Sequence, residues 1–210
     1  ATLDETVFLN VYNPTQNNTF TYTGAGSVMY GFNVEVYFDA YGNKIIADGI
    51  GYDETTETYT VSKAEGLDWI AEQVDGGETF EDYTIMLTED IDCFKGYMED
   101  GDPVSTSPIG KRDYTTNGSD PIAFKGTFDG QGHSIKNLYQ NGWALGYHSG
   151  GQYGSIGLFS RVENATIKNL VIDGCEMFVE GGNVAAIAGN AEGDCTFENI
   201  TIKNTTVCSY

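Results

Sequence analysis

The sequence predicts an all-β protein: a short right-handed parallel β-helix with an N-terminal capping helix, preceded by an antiparallel β region. Three similar runs near the C-terminus support this prediction, namely His133–Leu138, Ala165–Leu170 and Cys195–Ile200. Their leading apolar residues stand at 135, 167 and 197, so the steps are 167 − 135 = 32 and 197 − 167 = 30 residues. A repeat of this length is typical of architectures in which each unit covers the apolar face of its neighbour.

Stacked coils place equivalent residues directly above one another, so the three runs predict specific columns. One apolar column would consist of Ile135, Ile167 and Phe197. A second would consist of Leu138, Leu170 and Ile200. An asparagine ladder, in which each side-chain amide bonds the next, would consist of Asn137, Asn169 and Asn199. Parallel crossover connections predict the right hand of the superhelix.

The chain divides into two predicted regions, an antiparallel β region over 1–58 and a helix-capped β-helix over 59–210. In the first region Asn33–Phe38 alternates polar and apolar residues, and a Gly- and Asn-containing turn leads from it into Lys44–Ala47. Alternation on both sides of such a turn is typical of a β-hairpin.

One amphipathic helix is expected between the two regions. Ser62 and Glu65 form the S-x-x-E pattern of a capping box, and Gly76-Gly77 marks the end of the helix. Helical spacing relates four apolar residues, Leu67, Ile70, Ala71 and Val74. We expect this helix to cap the N-terminal end of the β-helix. No such element follows the last repeat. We therefore expect either that the chain is a fragment of a longer protein or that this uncapped C-terminal end docks on a partner and is open to self-association.

Long inserts at 94–120 and 139–155 interrupt the repeats, and loops of this length inside a compact fold are usually functional or mobile. The second insert carries a group of candidate ligand-binding residues, Trp143, Tyr147, His148 and Tyr153. Their rings either stack on the faces of sugars or pack against the core. In the turn Asp129–His133 the histidine is either a corner residue or a general base.

One pair of residues suggests a bound metal ion, and a second pair suggests a disulfide bond. Asp100 and Asp102 offer the oxygen ligands that calcium prefers, and calcium is the one cofactor that the sequence suggests. A solvated loop has the same composition, so the two residues either bind calcium or lie in such a loop. Cys175 and Cys208 are 208 − 175 = 33 residues apart, so they fall on adjacent coils and form either a disulfide or small apolar filler in the core.

Charge excludes some partners. The chain of 210 residues has 10 Lys and Arg against 31 Asp and Glu, a formal net charge of −21. Nucleic acid binding needs clustered basic residues, which the sequence lacks. No apolar run approaches the roughly 18 residues that a membrane span needs, so membrane insertion is not expected.

Part of the chain resembles a known group of proteins. The segments Phe124–Leu138, Gly157–Phe159 and Ala165–Leu170 are similar to those of the GLUG-type, pectate-lyase-like right-handed β-helix modules of bacterial surface proteins. The resemblance covers roughly 59–210. It implies a secreted, extracellular, cell-surface protein, whereas fold alone does not imply activity.

Three functions are compatible with these observations. The first is a non-enzymatic surface module that either adheres to glycans or a host surface or forms a structural stalk. The second is a carbohydrate-active enzyme, either a polysaccharide lyase or a glycosidase, for which this acidic chain offers many carboxylates. The third is a subunit of a surface filament or a viral spike. In each case we expect the repeats to form the scaffold and the inserts to carry recognition.

Overall fold

The protein is all-β with a single α-helix in the part of the chain that the structure describes. This structure is a computed structural model that describes residues 38–39, 41–110, 122–142, 145 and 155–210. The elements in chain order are β1 (Lys44–Ala47), β2 (Ile50–Asp53), β3 (Thr58–Val61), α1 (Ala64–Asp75), β4 (Thr84–Leu87), β5 (Ile91–Asp92), β6 (Thr127–Asp129), β7 (Ser134–Lys136), β8 (Tyr139–Asn141), β9 (Ser155–Ile156), β10 (Phe159–Glu163), β11 (Thr166–Asp173), β12 (Glu176–Val179), β13 (Asn183–Val184), β14 (Ala188–Glu192), β15 (Thr196–Lys203) and β16 (Thr206–Ser209). The all-β prediction is confirmed.

Strands β4–β16 pair in parallel with counterparts that lie between 28 and 44 residues away along the chain. We call this part the coil stack. One ladder runs β4–β6–β11–β15, and a second runs β5–β7–β11–β15. Further ladders run β8–β12–β16, β9–β13 and β10–β14. A parallel β-helix requires pairings of this kind, and its right hand remains a prediction.

The register confirms the predicted stacking for the last two coils and corrects it for the earlier one. Ile167 lies opposite Phe197, and Leu170 lies opposite Ile200, as expected. Ile135, however, lies opposite Ile172, a step of 172 − 135 = 37 residues, so the predicted column of Ile135 with Ile167 is wrong. The two apolar columns are instead Ile85, Phe128, Ile167 and Phe197, and Ile91, Ile135, Ile172 and Ile202.

The reason for the error is that the coil uses the same local pattern at two different corners. Asn169 and Asn199, with φ near +50°, bend the long strands β11 and β15 at a first corner. At the next corner along the coil, Asn137, Gly174 and Asn204 also have positive φ, between +50° and +66°. Only glycine and asparagine visit this left-handed conformation routinely. The run Ile135–Leu138 therefore belongs to the second corner, and it places Leu138 beside Cys175 rather than Leu170.

Side-chain amides connect the coils at these corners, but they form two ladders rather than one. At the first corner Asn199 donates to Asn169 at 2.9 Å, and Asn169 donates to the carboxylate of Asp129 at 3.0 Å. Asn137 lies at the other corner and donates to Asp92 at 2.9 Å. The predicted ladder is thus confirmed for Asn169 and Asn199 and wrong for Asn137. Asp129 also accepts from the backbone of Gln131, so Asp129–His133 forms a tight turn.

The antiparallel region joins the coil stack directly. β1, β2 and β3 pair in antiparallel order, and β3 then pairs in parallel with β4. The predicted boundary at 58/59 therefore falls inside one continuous sheet. Of the predicted hairpin, the structure describes the bridge between Phe38 and Lys44, and 33–37 lies outside the described residues.

The helix α1 connects β3 to β4 and packs on the core at the N-terminal end of the stack. All four predicted apolar residues, Leu67, Ile70, Ala71 and Val74, are buried in the common core. Backbone bonds from Gly76 and Gly77 end the helix as expected. The capping box prediction is wrong, because the N-cap is Lys63 and no side chain caps it.

The first insert is only partly a loop. Thr106 donates from its backbone to Tyr139, and Ile109 donates to Leu158, so the chain runs along the coil stack there. Ile109 is 1% exposed and belongs to the core. Within the described part of this insert, the segment that projects from the stack contains the hairpin-like turn around Glu99–Asp102, and 111–120 lies outside the described residues.

The corner residue Asn169 provides a test of the ladder. Asn169→Gly keeps the left-handed backbone but loses two side-chain hydrogen bonds, so we expect the free energy of unfolding to fall by about 1–2 kcal/mol. Asn169→Ala should cost about 1 kcal/mol more, because alanine resists positive φ. Urea denaturation measures both. Exposed Asn183 is the control, with a change within about 0.5 kcal/mol on substitution by alanine. Equal losses for the glycine and alanine variants would contradict this account.

A buried amide provides a second test. Gln140 is fully buried opposite Met177, and neither atom of its amide has a hydrogen-bond partner. Because a buried, unpaired polar group costs about 1–3 kcal/mol, Gln140→Met should raise the thermal midpoint. Gln131→Met, on the exposed turn, should leave it nearly unchanged. A lower midpoint for Gln140→Met would show that the amide is satisfied in solution.

Candidate functional site

A cleft of about 580 Å³ lies between the first turn of α1 and the segment that follows β5. Its lining combines charged side chains with one aromatic ring, and it consists of Ser62, Lys63, Ala64, Glu65, Asp68, Asp90, Ile91, Asp92, Phe94 and Lys95. Four of these residues are acidic and two are basic, so the cleft has a formal charge of 2 − 4 = −2. The cleft is concave, and most of the residues that line it are polar or charged.

Two exposed aromatic residues stand at the cleft and beside it. Phe94, which lines the cleft, is 48% exposed, and Tyr97 is 69% exposed. Their ring centroids are 5.2 Å apart, with an interplanar angle of 70°. Edge-to-face contact of this kind orients both rings at little cost in conformational entropy. We call Phe94 and Tyr97 the aromatic pair.

Local hydrogen bonds hold the aromatic pair in position. The backbone N–H of Phe94 donates to the carboxylate of Asp92 at 3.0 Å. Tyr97 lies in a short hairpin-like turn, in which Met98 donates to Asp102 and Val104 donates to Gly96. Lys95 follows Phe94 in the sequence and donates to both carboxylate oxygens of Asp68 on α1, at 2.6 and 2.7 Å. The rings are thereby tied to the helix and to β5.

Neighbouring donors hold two carboxylates of the cleft, those of Asp90 and Asp92. Asp90 accepts from the Lys136 ammonium at 2.7 Å and from the backbone of Ser134 at 2.9 Å. These bonds, that from Lys136 first, hold the pKa of Asp90 well below its usual range. The pKa of Asp92 is lowered mainly by the amide of Asn137. His133 lies with its Nδ1 3.5 Å from Asp90. Both carboxylates are therefore ionised at neutral pH and serve as hydrogen-bond acceptors.

The candidate residues of the second insert cannot be placed in this site. Trp143, Tyr147, His148 and Tyr153 lie outside the described residues.

The two acidic residues proposed for calcium lie on the exposed turn next to Tyr97, where Asp100 accepts a hydrogen bond from the backbone of Asp102 at 3.2 Å. Within the described ranges, no group of three or more His, Cys, Asp or Glu side chains is arranged to hold a metal ion.

The register separates the two cysteines proposed for a disulfide. Cys208 lies opposite Phe178, whereas Cys175 lies beside Thr205. The offset is three residues, or about 10 Å along the strand, beyond the Cα range of a disulfide. Both thiols are free in the structure, and burial raises the pKa of Cys175. Cys175 is fully buried in the core, so it fits the alternative prediction of a small apolar residue that fills the core.

The sequence predicts that recognition lies in the inserts, but it does not single out the aromatic pair. The available signal was two aromatic residues, Phe94 and Tyr97, in a polar, glycine-containing segment immediately after a strand. Large rings in such a segment have little core to cover them. Asp68 and Lys95 could not be joined from sequence, because they are 27 residues apart on different elements.

Comparison with family models, with curated proteins and with solved structures finds no match. Among the residues that the structure describes, no helix has both the length and the apolar character to cross a membrane.

The ion pair of Asp90 predicts a dependence of stability on pH. Since the folded pKa of Asp90 is lowered, its contribution is present above the unfolded pKa of about 3.9 and is lost as the pH falls through the folded pKa. The thermal midpoint of wild type should therefore exceed that of Asp90→Asn most at neutral pH, and the gap should close in acid. The exposed Asp82→Asn variant should follow wild type at every pH. A gap that stays constant down to pH 2 would contradict the assignment.

Proposed function

We propose that this protein is a non-enzymatic module that binds neutral glycans through the aromatic pair and the adjoining cleft. The observation that carries the proposal is the exposure of Phe94 and Tyr97 beside a cleft of ionised carboxylates and ammonium groups. Rings with one apolar face exposed stack on the C–H faces of sugars, and carboxylates accept hydrogen bonds from sugar hydroxyls. The aromatic rings therefore match the C–H face of a pyranose, and the carboxylates match its hydroxyl groups.

Charge favours neutral over acidic glycans. The cleft has a formal charge of −2, and the whole chain has −21. An anionic sugar such as a uronic acid would enter against this field and would find Lys95 already paired with Asp68. Neutral hexoses carry no such penalty.

The carboxylates argue for binding rather than hydrolysis. A glycosidase needs a carboxylic acid whose pKa is raised, so that it can protonate the leaving group. Among the described Asp side chains whose pKa departs from the ordinary value, each is lowered: Asp53, Asp90, Asp92, Asp129 and Asp173. The polysaccharide lyase and glycosidase alternatives therefore rank below binding.

An extracellular, cell-surface setting suits this proposal. The resemblance of the repeats to modules of bacterial surface proteins supports it, and glycans are exposed there. In that setting the coil stack would hold the aromatic pair on a rigid scaffold. A purely structural stalk would have no use for exposed rings beside a charged cleft, so we rank adhesion first.

A glycan array tests the proposal. Wild type should bind neutral oligosaccharides in preference to uronic-acid or sialylated ones. The double variant Phe94→Ala/Tyr97→Ala removes both stacking surfaces. It should lose about tenfold or more in affinity, by analogy with nucleic acid bases, whose stacking on an aromatic side chain is worth about 1–3 kcal/mol per base. Tyr210→Ala serves as the matched control, because it removes an aromatic ring that is 65% exposed but follows β16, away from the cleft.

Equal binding by wild type and the double variant would contradict the assignment of the aromatic pair. Absence of binding to every glycan would overturn the proposed function. New reducing ends or unsaturated products, looked for in the same incubations, would instead favour the enzyme alternative.

A further inference from the structure

The cleft and its immediate surroundings hold more carboxylates than ammonium groups. The lining contributes four carboxylates and two ammonium groups, those of Glu65, Asp68, Asp90, Asp92, Lys63 and Lys95. Two residues outside the lining reach into it as ion-pair partners, Asp48 toward Lys63 and Lys136 toward Asp90. Five carboxylates therefore face three ammonium groups, a formal charge of 3 − 5 = −2.

Each of these ammonium groups is already bonded to one carboxylate. The three ion pairs are Lys63–Asp48, Lys95–Asp68 and Lys136–Asp90. His133 lies at the third pair, with its Nδ1 3.5 Å from Asp90. Glu65 is within electrostatic reach of Lys63, and Asp92 is within reach of Lys136, but neither carboxylate forms an ion pair with any of the described residues. The excess negative charge of the cleft therefore lies on Glu65 and Asp92.

One oxygen of Asp92 remains available next to the aromatic pair. The backbone N–H of Phe94 and the amide of Asn137 both donate to Oδ1 of Asp92, at 3.0 and 2.9 Å. Its Oδ2 accepts no hydrogen bond within the part of the chain that the structure describes. Because Asp92 is exposed and lines the same cleft as Phe94, a ligand that stacks on this ring meets an ionised oxygen with free lone pairs.

Glu65 offers a second available carboxylate from the other wall of the cleft. It belongs to the first turn of α1, and the cleft separates this turn from the segment that carries Phe94. The side chain is exposed, and none of the described donors bonds to it. Each wall thus presents one carboxylate that lacks an ammonium group of its own, so a positively charged ligand between the walls would be attracted by both.

The aromatic pair adds to this preference for positive charge. The face of an aromatic ring carries partial negative charge and attracts an ammonium group within about 6 Å of its centre. Phe94 and Tyr97 are both exposed, so their rings can contact a sugar and an ammonium group of the same ligand. Two independent features of the cleft, its free carboxylates and its rings, therefore favour the same kind of ligand.

We propose that, among glycans, this cleft prefers those that carry a protonated amine, such as oligosaccharides that contain glucosamine. The sugar ring stacks on the aromatic pair, while its ammonium group donates to Asp92 and Glu65. Because it rests on the proposed function, this preference extends the order of affinity from neutral above acidic glycans to basic above neutral ones. Neutral sugars use the same rings and the same hydroxyl contacts but lack the ionic one.

Isothermal titration calorimetry of the full chain with two matched tetrasaccharides tests the proposal, at about pH 7 and about 0.15 M salt. One is the neutral tetramer of N-acetylglucosamine, and the other is the same tetramer with the acetyl group removed from its terminal non-reducing sugar. The second should have a dissociation constant at least about threefold lower, since it gains an exposed ion pair and a cation–π contact. At about 1 M salt, where the Debye length is about 3 Å, the ratio should approach one.

Two substitutions that keep side-chain shape assign the preference to the cleft. Glu65→Gln and Asp92→Asn should each reduce the ratio of the two dissociation constants, and together they should bring it close to one. The matched control is Glu72→Gln/Asp82→Asn, which removes two charges from exposed residues outside the lining and should keep the ratio of wild type. Circular dichroism checks that each variant keeps its strand content.

Equal affinity of wild type for the two tetramers would overturn the preference for amines and leave the proposed function standing. Absence of binding to either tetramer would contradict the proposed function and this preference with it. An equal loss of the ratio in the control variant would show that the general charge of the chain attracts the amine, which would overturn the assignment to Glu65 and Asp92.

A ligand with one ammonium group and no sugar ring completes the test. Nα-acetyl-lysine amide should bind at least about tenfold more weakly than the de-acetylated tetramer, because it lacks the surface that stacks on the aromatic pair. Binding of equal strength would overturn the proposal and indicate a site for basic peptides instead.

Discussion

Each coil of this protein is too thin to bury its own apolar side chains, and the rest of the structure depends on that constraint. An inward residue such as Phe128 is covered only because Ile85 and Ile167 lie above and below it in register. The apolar columns therefore stabilise the stack as a whole, with each coil contributing to the burial of its neighbours. The constraint also explains the position of α1, whose apolar residues pack on the core at the N-terminal end of the stack.

Corners make this stacking possible, and they are built from a small set of residues. Asparagine or glycine with positive φ turns the strand without interrupting the ladder, and the asparagine amides then bond from coil to coil. Lysine ammonium groups of adjacent coils neutralise the carboxylates of Asp90 and Asp129, and the Asn137 amide donates a hydrogen bond to Asp92. Local ion pairs and charge-assisted hydrogen bonds of this kind stabilise carboxylates at the corners of closely spaced coils.

Function is then left to the segments that the scaffold does not need. The aromatic pair follows β5 directly, so a rigid strand fixes where the rings begin, while the bond between Lys95 and Asp68 fixes how the segment lies against α1. Under the proposed function, the exposed rings beside the polar cleft are the binding feature that this scaffold holds in place.

Local properties of this protein could be predicted from the sequence by itself: strand-forming runs, one amphipathic helix, and corners marked by asparagine and glycine. These depend on backbone preferences within a few residues. The tertiary structure alone decided which corner each run occupies, because Ile135–Leu138 and Ile167–Leu170 have the same local conformation at different positions of the coil. It alone brought Asp68 to Lys95, and Asp90 to Lys136, since contacts over 27 and 46 residues depend on register.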